Sequence, residues 1–321
     1  MRIAVTDGID PRAKSKLEEM GHYVQEKHFS KEELLAGCIS DFDIVVVRSA
    51  TKIISDVIRA NSGEDALFSM VIRAGVGVDN IDIKEAGANN ILVCNTPGSS
   101  TNAVVELTIG HLISSNRMIV KGDTLMKNGI WGKKELRGSE LRGKNLGLLG
   151  YGRIARGVAE IARNMGMNIH VFDPYLKDRN DDCTYHNSVE ELFSSCTHIS
   201  IHCFLSKETH HMVDNSLITL MPKIGADGVA CGNHIVNCAR GGIIKESDLR
   251  DSLSSGKLST ASLDVFETEP ALANELLNLD NFQATPHIGA STHEAQARIG
   301  NEIISIINDF SEGKKPKSCL N

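Results

Sequence analysis

The chain has 321 residues, 41% of them apolar, and carries 34 basic against 41 acidic side chains for a net charge of −7. This length predicts two domains of about 150 residues each, and the apolar share excludes a wholly disordered chain. The acidic balance argues against nucleic acid and membrane partners, and no apolar run reaches the roughly 18 residues of a membrane span, so we expect a cytoplasmic protein.

Short β-branched segments alternate with helical ones along nearly the whole chain. The predicted strands are RIAVTDG, HYVQEKH, DIVVVRS, FSMVIRAG, ILVCNTPG, NLGLLGYG, NIHVFDP, HISIHCF, HIVNCARGG, TASLDVF and NFQATPHI. Predicted helices include PRAKSKLEEMG, RIARGVAEIARNMG, one long helix from about Ser99 to Met126 and another from Thr292 to Glu312. The alternation predicts an α/β protein with two doubly wound parallel sheets. A single (β/α)8 barrel is the competing architecture, but it needs fewer strands.

The eight cysteines lack the short, regular spacing of a disulfide framework or a zinc site. We therefore expect reduced, mostly buried thiols and no bound metal.

A dinucleotide-binding motif follows the strand NLGLL. Gly150 and Gly152, with Ala155 in the third place, form the pattern G-x-G-x-x-A at the start of a helix. The glycines allow a tight turn and close approach of a pyrophosphate to the helix N-terminus. Asp173 ends the next strand, 23 residues beyond Gly150, where a carboxylate binds ribose hydroxyls. The motif predicts NAD as cofactor, although two basic residues soon after Asp173 weaken the exclusion of NADP.

Three ionisable residues each follow a predicted strand: Arg240 in NCARGG, Glu269 in DVFETEP and His287 in TPHIGAST. Because ligands bind beyond the carboxyl ends of parallel strands, we expect these side chains to face one crevice. His287 suits the base that takes a hydroxyl proton, Glu269 suits its orienting partner, and Arg240 suits a substrate carboxylate. The other prominent histidines, His111, His210 and His211, are interpreted as structural.

The sequence resembles the D-2-hydroxyacid dehydrogenase family, most closely its D-3-phosphoglycerate dehydrogenase branch. The segments that carry the resemblance are RAGVGVDNID, NTPGSSTNAVVEL, GLLGYGRIA, VNCARGGII, LDVFETEP and TPHIGASTHEAQ. The resemblance implies that Arg240, Glu269 and His287 are the catalytic residues and that Asp264 holds the nicotinamide carboxamide. Further cofactor contacts that it implies are Val76, Arg153, Ile154, Cys203, Cys238, Gly289 and Ala290.

The family pattern also implies a domain organisation. A flavodoxin-like substrate domain comprises residues 1–99 and 287–321, and a Rossmann NAD-binding domain comprises residues 100–286. Family members are usually dimers, and the segment from Trp131 to Leu141 resembles part of their interface, so we expect a homodimer. This chain departs from the family at Phe204, where a proline is usual, and in a longer loop before Asn237.

Some substrate contacts are implied by the family resemblance, and others are predicted from the place of a residue after a strand. The family binds the substrate carboxylate through backbone amides, here around Val76 and Gly77, and Asn102 opens the long helix where it could contact substrate. A phosphorylated substrate needs additional cations, and Arg48 and Arg73 each follow a strand of the first domain. Their alternative interpretation is a surface ion pair.

The expected reaction is NAD-dependent oxidation of D-3-phosphoglycerate to 3-phosphohydroxypyruvate, the first step of phosphorylated serine synthesis. A glyoxylate or hydroxypyruvate reductase is the alternative within the family, and an NAD-sensing corepressor-like platform is the alternative of another class. Only 31 residues follow TPHIGA, too few for a regulatory domain of about 70 residues, so we expect no inhibition by L-serine.

Overall fold

The computed structural model describes residues 1–179 and 182–321. Two compact units divide the chain: the first unit is Met1–Thr101 with Ala290–Asn321, and the second unit is Asn102–Gly289. The first unit is therefore built from two separate stretches of sequence. His287, which the sequence analysis places at the start of a substrate domain, lies in the second unit.

Twelve strands and eleven α-helices form in the described ranges. The strands are β1 (Arg2–Val5), β2 (Tyr23–Glu26), β3 (Ile44–Val47), β4 (Met70–Arg73), β5 (Leu92–Asn95), β6 (Asn145–Leu149), β7 (Asn168–Phe172), β8 (Thr184–Tyr185), β9 (His198–Ile201), β10 (His234–Asn237), β11 (Thr260–Leu263) and β12 (Phe282–Ala284). The helices are α1 (Pro11–Glu19), α2 (Lys31–Leu35), α3 (Ser55–Ala60), α4 (Ile83–Ala88), α5 (Thr101–Arg117), α6 (Ile119–Lys127), α7 (Arg153–Asn164), α8 (Val189–Ser195), α9 (Asn215–Leu220), α10 (Glu246–Ser254) and α11 (His293–Ser311).

The first unit is a five-stranded parallel sheet in the order β2-β1-β3-β4-β5. This is the flavodoxin-like doubly wound order. All residues of β3 and β4 are buried, as expected for strands covered on both faces. Isoleucines of α11, among them Ile299 and Ile303, pack on one face of the sheet, and residues of α2, α3 and α4 belong to the core cluster that includes Val45 and Val71.

The second unit is a seven-stranded parallel sheet in the order β12-β11-β10-β9-β6-β7-β8. Counted from β6, this is the Rossmann order with one strand added at the edge beyond β11. The chain reverses its direction of winding between β6 and β9, which is where such sheets bind ligands. The expectation of two doubly wound parallel-sheet domains is confirmed.

The predicted long helix from Ser99 to Met126 is wrong as a single element. It is two helices, α5 and α6, separated at Met118, whose φ of +53° is left-handed. Neither glycine nor proline marks this position, so the apolar pattern runs through it without a local stop signal. None of the residues of α6 is buried. The short strand β8 was also not predicted.

The eight cysteines are all free thiols, of which Cys94, Cys196 and Cys238 are buried and the other five are partly exposed. In the described ranges no helix combines the length and the apolarity that crossing a membrane requires. Among the same residues there is no cluster of three His, Cys, Asp or Glu side chains arranged to hold a metal ion.

Candidate active site

The loops after three neighbouring strands carry the predicted catalytic residues. Arg240 follows β10, Glu269 lies in the loop after β11, and His287 follows β12, and these strands pair consecutively in the second unit. The carboxyl ends of parallel strands lie on the same side of the sheet, so the topology brings together side chains separated by up to 47 residues of sequence.

Glu269 and His287 form a direct pair. Nδ1 of His287 lies 2.7 Å from Oε2 of Glu269, and both side chains are about one-third exposed. An ionised carboxylate only accepts hydrogen bonds, so Nδ1 of His287 is the donor in this pair and Nε2 is the ring nitrogen left for a ligand. Burial raises the pKa of Glu269, but the hydrogen bond from His287 and the charges of His287 and Arg240 outweigh it and hold the pKa below its ordinary value.

The backbone at His287 is strained, and two backbone hydrogen bonds hold it in place. His287 has a left-handed φ of +52°, which is uncommon outside glycine. Its amide donates to the carbonyl oxygens of Asp264 and Thr285, at 2.9 and 3.0 Å. These contacts fix the direction of the imidazole through the backbone, in addition to the bond to Glu269.

The loop that carries Arg240 is braced from within. Asn237 donates from Nδ2 to the Arg240 carbonyl and accepts from the Ala239 amide, and Arg240 Nη1 donates to the Ala239 carbonyl at 2.6 Å. A Cβ at Gly241 would lie 1.8 Å from the Phe266 carbonyl oxygen. Only glycine therefore lets the Arg240 loop approach the loop that leads to Glu269.

Asp264 is buried directly beneath the His287 loop, with 1% of its surface exposed. Its Oδ1 accepts from Thr285 Oγ1 and the Ile288 amide, and its Oδ2 accepts from the Gly289 amide at 2.9 Å. The carboxylate thus anchors three residues around His287, leaving one further acceptor position on Oδ2. Its predicted contact with the nicotinamide carboxamide stays a prediction.

His111 extends this network, which the sequence analysis did not foresee. Its Nε2 lies 3.0 Å from Thr285 Oγ1, the same hydroxyl that donates to Asp264. Burial lowers the pKa of His111, and the charge of Asp264 only partly opposes this. No local signal separates this histidine from a core residue, because its partner lies 174 residues away.

The glycine loop after β6 has the form that a dinucleotide requires. Gly150 has a φ of +88°, and a Cβ there would lie 2.7 Å from the Cys203 amide nitrogen. Gly152 caps α7 without a side chain, and its Cβ position is open space. Asp173 accepts from the amides of Tyr151 and Tyr175, which holds the carboxylate beside this loop. The residues present fit a pyrophosphate at the helix N-terminus and a ribose at Asp173.

Other predicted cofactor residues differ in accessibility. Arg153 is exposed and Ile154 half-buried at the start of α7, and Gly289 is buried against Asp264. Burial raises the pKa of Cys203 and that of Cys238 to about 12, so both thiols are protonated at neutral pH. Phe204, at the departure from the family pattern, is exposed, and its ring lies 6.0 Å from that of Tyr175.

The remaining predicted residues lie in the first unit, apart from Asn102, which begins the second. Val76 is 36% exposed, Gly77 and Ala290 are half-buried, and Arg48 is half-buried. Arg73 is buried, and its Nη1 donates to the Ala74 carbonyl.

The absence of a side chain at Gly75 explains the position of the Arg73 guanidinium. A Cβ at Gly75 would lie 2.0 Å from Arg73 Nη1, so the guanidinium occupies the space that any other residue at position 75 would fill.

Comparison with known proteins identifies the family. The model of the D-isomer specific 2-hydroxyacid dehydrogenase NAD-binding domain matches residues 109–289. The chain belongs to this family. It is an NAD-dependent D-2-hydroxyacid dehydrogenase, as the glycine motif and the family resemblance predict.

Relatives carry two different activities in their names. Hydroxypyruvate reductase of Thermotoga maritima is 41% identical over 95% of this chain and 97% of that protein. D-3-phosphoglycerate dehydrogenase of Methanocaldococcus jannaschii is 39% identical over the whole chain, which spans 59% of that longer protein. The NAD⁺-bound 3-phosphoglycerate dehydrogenase of Entamoeba histolytica is 35% identical, with a TM-score of 0.81 over 100% of this chain and 98% of that one.

Proposed function

We propose that this dehydrogenase oxidises D-3-phosphoglycerate to 3-phosphohydroxypyruvate with NAD. Support comes from the match of the whole chain to phosphoglycerate dehydrogenases, including the NAD⁺-bound structure from Entamoeba histolytica. The pair of Glu269 and His287, 2.7 Å apart, is the observation that carries the chemistry. Such a pair is the acid/base device that oxidation of a hydroxyl group requires.

The proton of the substrate hydroxyl passes to His287. Its Nε2 lone pair accepts this proton, and the ionised Glu269 on Nδ1 stabilises the imidazolium that results. The guanidinium of Arg240 binds the substrate carboxylate and polarises the adjacent oxygen. Bound NAD supplies the carbon that accepts the hydride.

NAD itself is held by the second unit. The amides of the Gly150–Gly152 loop, with Arg153 and Ile154, would bind its pyrophosphate, and Asp173 would bind its ribose.

Phosphate recognition is the finer part of the proposal. Arg48 follows β3 and Arg73 is the last residue of β4, and because these strands are adjacent and parallel, both arginines lie at the carboxyl end of the first unit's sheet. The phosphate dianion requires cations there, in addition to the backbone amides near Val76 and Gly77 that take the carboxylate. Arg73 is held over its own loop by Ala74, so Arg48 is the more accessible of the two.

A substrate panel tests this proposal. NADH absorbance is followed with D-3-phosphoglycerate, D-glycerate and glycolate, and in reverse with hydroxypyruvate and glyoxylate, using NADP as a control. We expect kcat/KM for phosphoglycerate to exceed that for glycerate by at least about 100-fold, because the charged phosphate contacts are lost. Arg48→Ala should lower kcat/KM for phosphoglycerate and leave that for glycerate unchanged. Equal loss with both substrates would contradict the phosphate role.

A hydroxypyruvate reductase is the second candidate. It is favoured by the 41% identity to the Thermotoga protein, which this chain matches at nearly full length. With 3-phosphohydroxypyruvate added to the reverse reactions, a higher kcat/KM for hydroxypyruvate than for 3-phosphohydroxypyruvate would select this function. A protein acting only as an NAD-sensing platform would turn over none of these substrates.

We also propose that the protein is a homodimer through the second unit. Helix α6 has no buried residue, and Ile119, Val120, Met126, Ile130 and Trp131 are each at least half exposed, with Trp131 at 77%. An apolar surface of this kind is typical of an interface. Sedimentation should give twice the chain mass for the wild type and the monomer mass for Trp131→Lys with Met126→Lys. A monomeric wild type would contradict the dimer.

A further inference from the structure

Two cysteines far apart in sequence face each other at the edge of the first unit's sheet. Residues 318–321, here called the edge segment, lie antiparallel to β5 on the side away from β4. Cys94 of β5 and Cys319 of the edge segment are directly opposite partners in this pairing.

Hydrogen bonds on both sides of the pair define its geometry. The Leu320 amide donates to the Val93 carbonyl at 2.8 Å, and the Asn95 amide donates to the Ser318 carbonyl at 3.3 Å. These bonds flank the two cysteines rather than joining them, which makes Cys94 and Cys319 a non-hydrogen-bonded pair. Such pairs have Cα atoms about 4.5 Å apart with side chains close together, within the range of roughly 4.4–6.8 Å that disulfides span.

Both side chains lie on the same face of the sheet. Cys94 is completely buried in the core cluster of β1, β4 and α11, and Cys319 packs against that cluster while staying partly exposed. Burial is the main cause that raises the pKa of Cys94 well above its ordinary value, and a hydrogen bond with the Cys319 thiol adds to it. The two sulfurs are therefore neighbours, and solvent reaches the pair through Cys319.

The edge segment is held in place by more than this pair. Asn321 accepts the Val93 amide on Oδ1 at 3.0 Å and donates from Nδ2 to the Ile91 carbonyl at 2.9 Å. These contacts keep the cysteines opposed in the reduced protein, so closing a bond between them requires no rearrangement of the backbone.

We propose that Cys94 and Cys319 are an oxidisable pair that forms a cross-strand disulfide and covalently fastens the edge segment to β5. A low-molecular-weight disulfide, RSSR, is the oxidant. The Cys319 thiolate attacks RSSR and releases one thiolate, giving a mixed disulfide at Cys319. Cys94 attacks the Cys319 sulfur while its proton passes to the departing second thiolate, which leaves as RSH. Overall, two protein thiols are oxidised, one RSSR is reduced, and two RSH are formed.

The position of the pair connects it with the loop predicted to bind substrate. Asn95, next to Cys94, donates from Nδ2 to the Val76 carbonyl at 2.7 Å, and the Thr96 amide donates to the Gly75 carbonyl at 3.0 Å. A disulfide at Cys94 fixes the end of the strand from which both contacts arise. We expect slower hydrogen exchange at the amides of Thr96 and Leu320 in the oxidised protein.

Peptide mapping tests the proposal. The full chain is fully reduced, incubated natively with oxidised glutathione, alkylated in acid and digested with trypsin. We expect one cross-linked product that joins the Cys94 peptide to the Cys319 peptide, with loss of two hydrogens. The total count of free thiols, titrated after denaturation, should fall from eight to six. A stable glutathione adduct on Cys319 without the cross-link would overturn the proposal, as would a cross-link formed only after unfolding in urea.

Variants separate this pair from general thiol oxidation. Cys38→Ser, a partly exposed thiol of the same unit in a different core cluster, should leave the cross-link intact, whereas Cys319→Ser should abolish it. Oxidation should raise the Tm of the wild type by about 5 °C, reversibly on reduction. Because Cys319 is partly exposed and serine is close to cysteine in size, Cys319→Ser should fold normally. Its Tm should not change on oxidation. An equal shift in that variant would contradict the assignment.

Discussion

The two ends of the seven-stranded sheet both carry histidines, in opposite environments. At the carboxyl end, His287 is about one-third exposed, with Nδ1 on Glu269 and no hydrogen-bond partner for Nε2 among the described residues. At the amino end, His198 and His234 are buried and stacked, with ring centroids 4.5 Å apart. At the carboxyl end a ring nitrogen is therefore available to a ligand, whereas at the amino end both histidines are bonded within the protein.

Each ring nitrogen at the amino end already has a partner. His198 is bonded to Thr197 and Asn116, and His234 to Thr260 and the Cys231 carbonyl. The buried Lys144 lies nearby and contacts Asp227. The residue type is the same at the two ends, and the unused nitrogen together with exposure distinguishes the proposed catalytic histidine from the two buried ones.

The largest expected effect is at His287. His287→Ala removes the proton acceptor while keeping the glycine loop, so we expect kcat to fall about 1,000-fold with the Kd for NADH nearly unchanged. Stopped-flow turnover and NADH fluorescence titration measure the two quantities. His234→Asn at the other end serves as the matched control and should retain kcat. Near-normal turnover in His287→Ala would remove this residue from its role.

Glu269 should have the next largest effect. Glu269→Gln keeps the size of the side chain but loses the charge that stabilises the imidazolium, so we expect kcat to fall roughly 30-fold. The pKa of Glu269 lies below the ordinary value, so the wild-type carboxylate is ionised throughout the neutral range. A pH profile of kcat from 6 to 9 measures the loss. Equal activity of the two proteins at every pH would contradict the pairing role.

At the amino end, the pair of Lys144 and Asp227 affects stability rather than chemistry. Asp227→Asn leaves the charge of the 2% exposed Lys144 without its partner, and we expect Tm to fall by about 5 °C or more. Lys144→Met removes the charge and should cost less than Asp227→Asn. Calorimetry measures Tm, and kcat should be unaffected in both variants. A larger loss in Lys144→Met would contradict the burial argument.

Acid should weaken the folded state through its half-buried histidines. Burial lowers the pKa of His170 to about 4, with a smaller contribution from His186, and burial lowers that of His202 to about 3. Below the ordinary value of 6.5, the unfolded chain binds protons that the native state does not, so the free energy of unfolding falls as pH falls. Each such histidine contributes a slope of about 1.4 kcal/mol per pH unit between 6.5 and its native value.

Urea unfolding at pH 7, 6 and 5 measures this slope. His202→Asn should reduce it, whereas His293→Asn, at an exposed position, should not. A slope that is the same in the wild type and His202→Asn would contradict the contribution of that residue.

The smallest expected effect concerns the exposed pair of Tyr175 and Phe204 at the carboxyl end. Phe204 follows Cys203, which the family resemblance places at the cofactor, and aromatic contacts contribute about 0.5–1.5 kcal/mol. Phe204→Ala should therefore weaken NAD binding about threefold without changing kcat. Leu272→Ala, an exposed apolar residue outside the glycine loop, is the control. Isothermal calorimetry with NAD and with ADP-ribose measures the change. Unchanged affinity for both ligands would exclude a contact with the cofactor.

Local patterns predicted most of the scaffold. Eleven predicted strands correspond to strands of the structure, and α1, α7 and α11 form where apolar periodicity indicates helices. The motif around Gly150 is a local pattern. The grouping of Arg240, Glu269 and His287 could be predicted because parallel sheets bring the residues that follow their strands to one side of the sheet. The roles of individual site residues stay predictions until the variants are measured.

Sequence by itself determined the alternation of strands and helices, the glycine loop and the three candidate catalytic residues, because short-range periodicity and turn chemistry record these directly. Only the tertiary structure decided that the helix breaks at Met118, that His111 reaches Asp264 through Thr285, and that Cys94 meets Cys319. The last two are contacts between residues more than 150 positions apart. They depend on strand order and packing, which no local pattern of residues encodes.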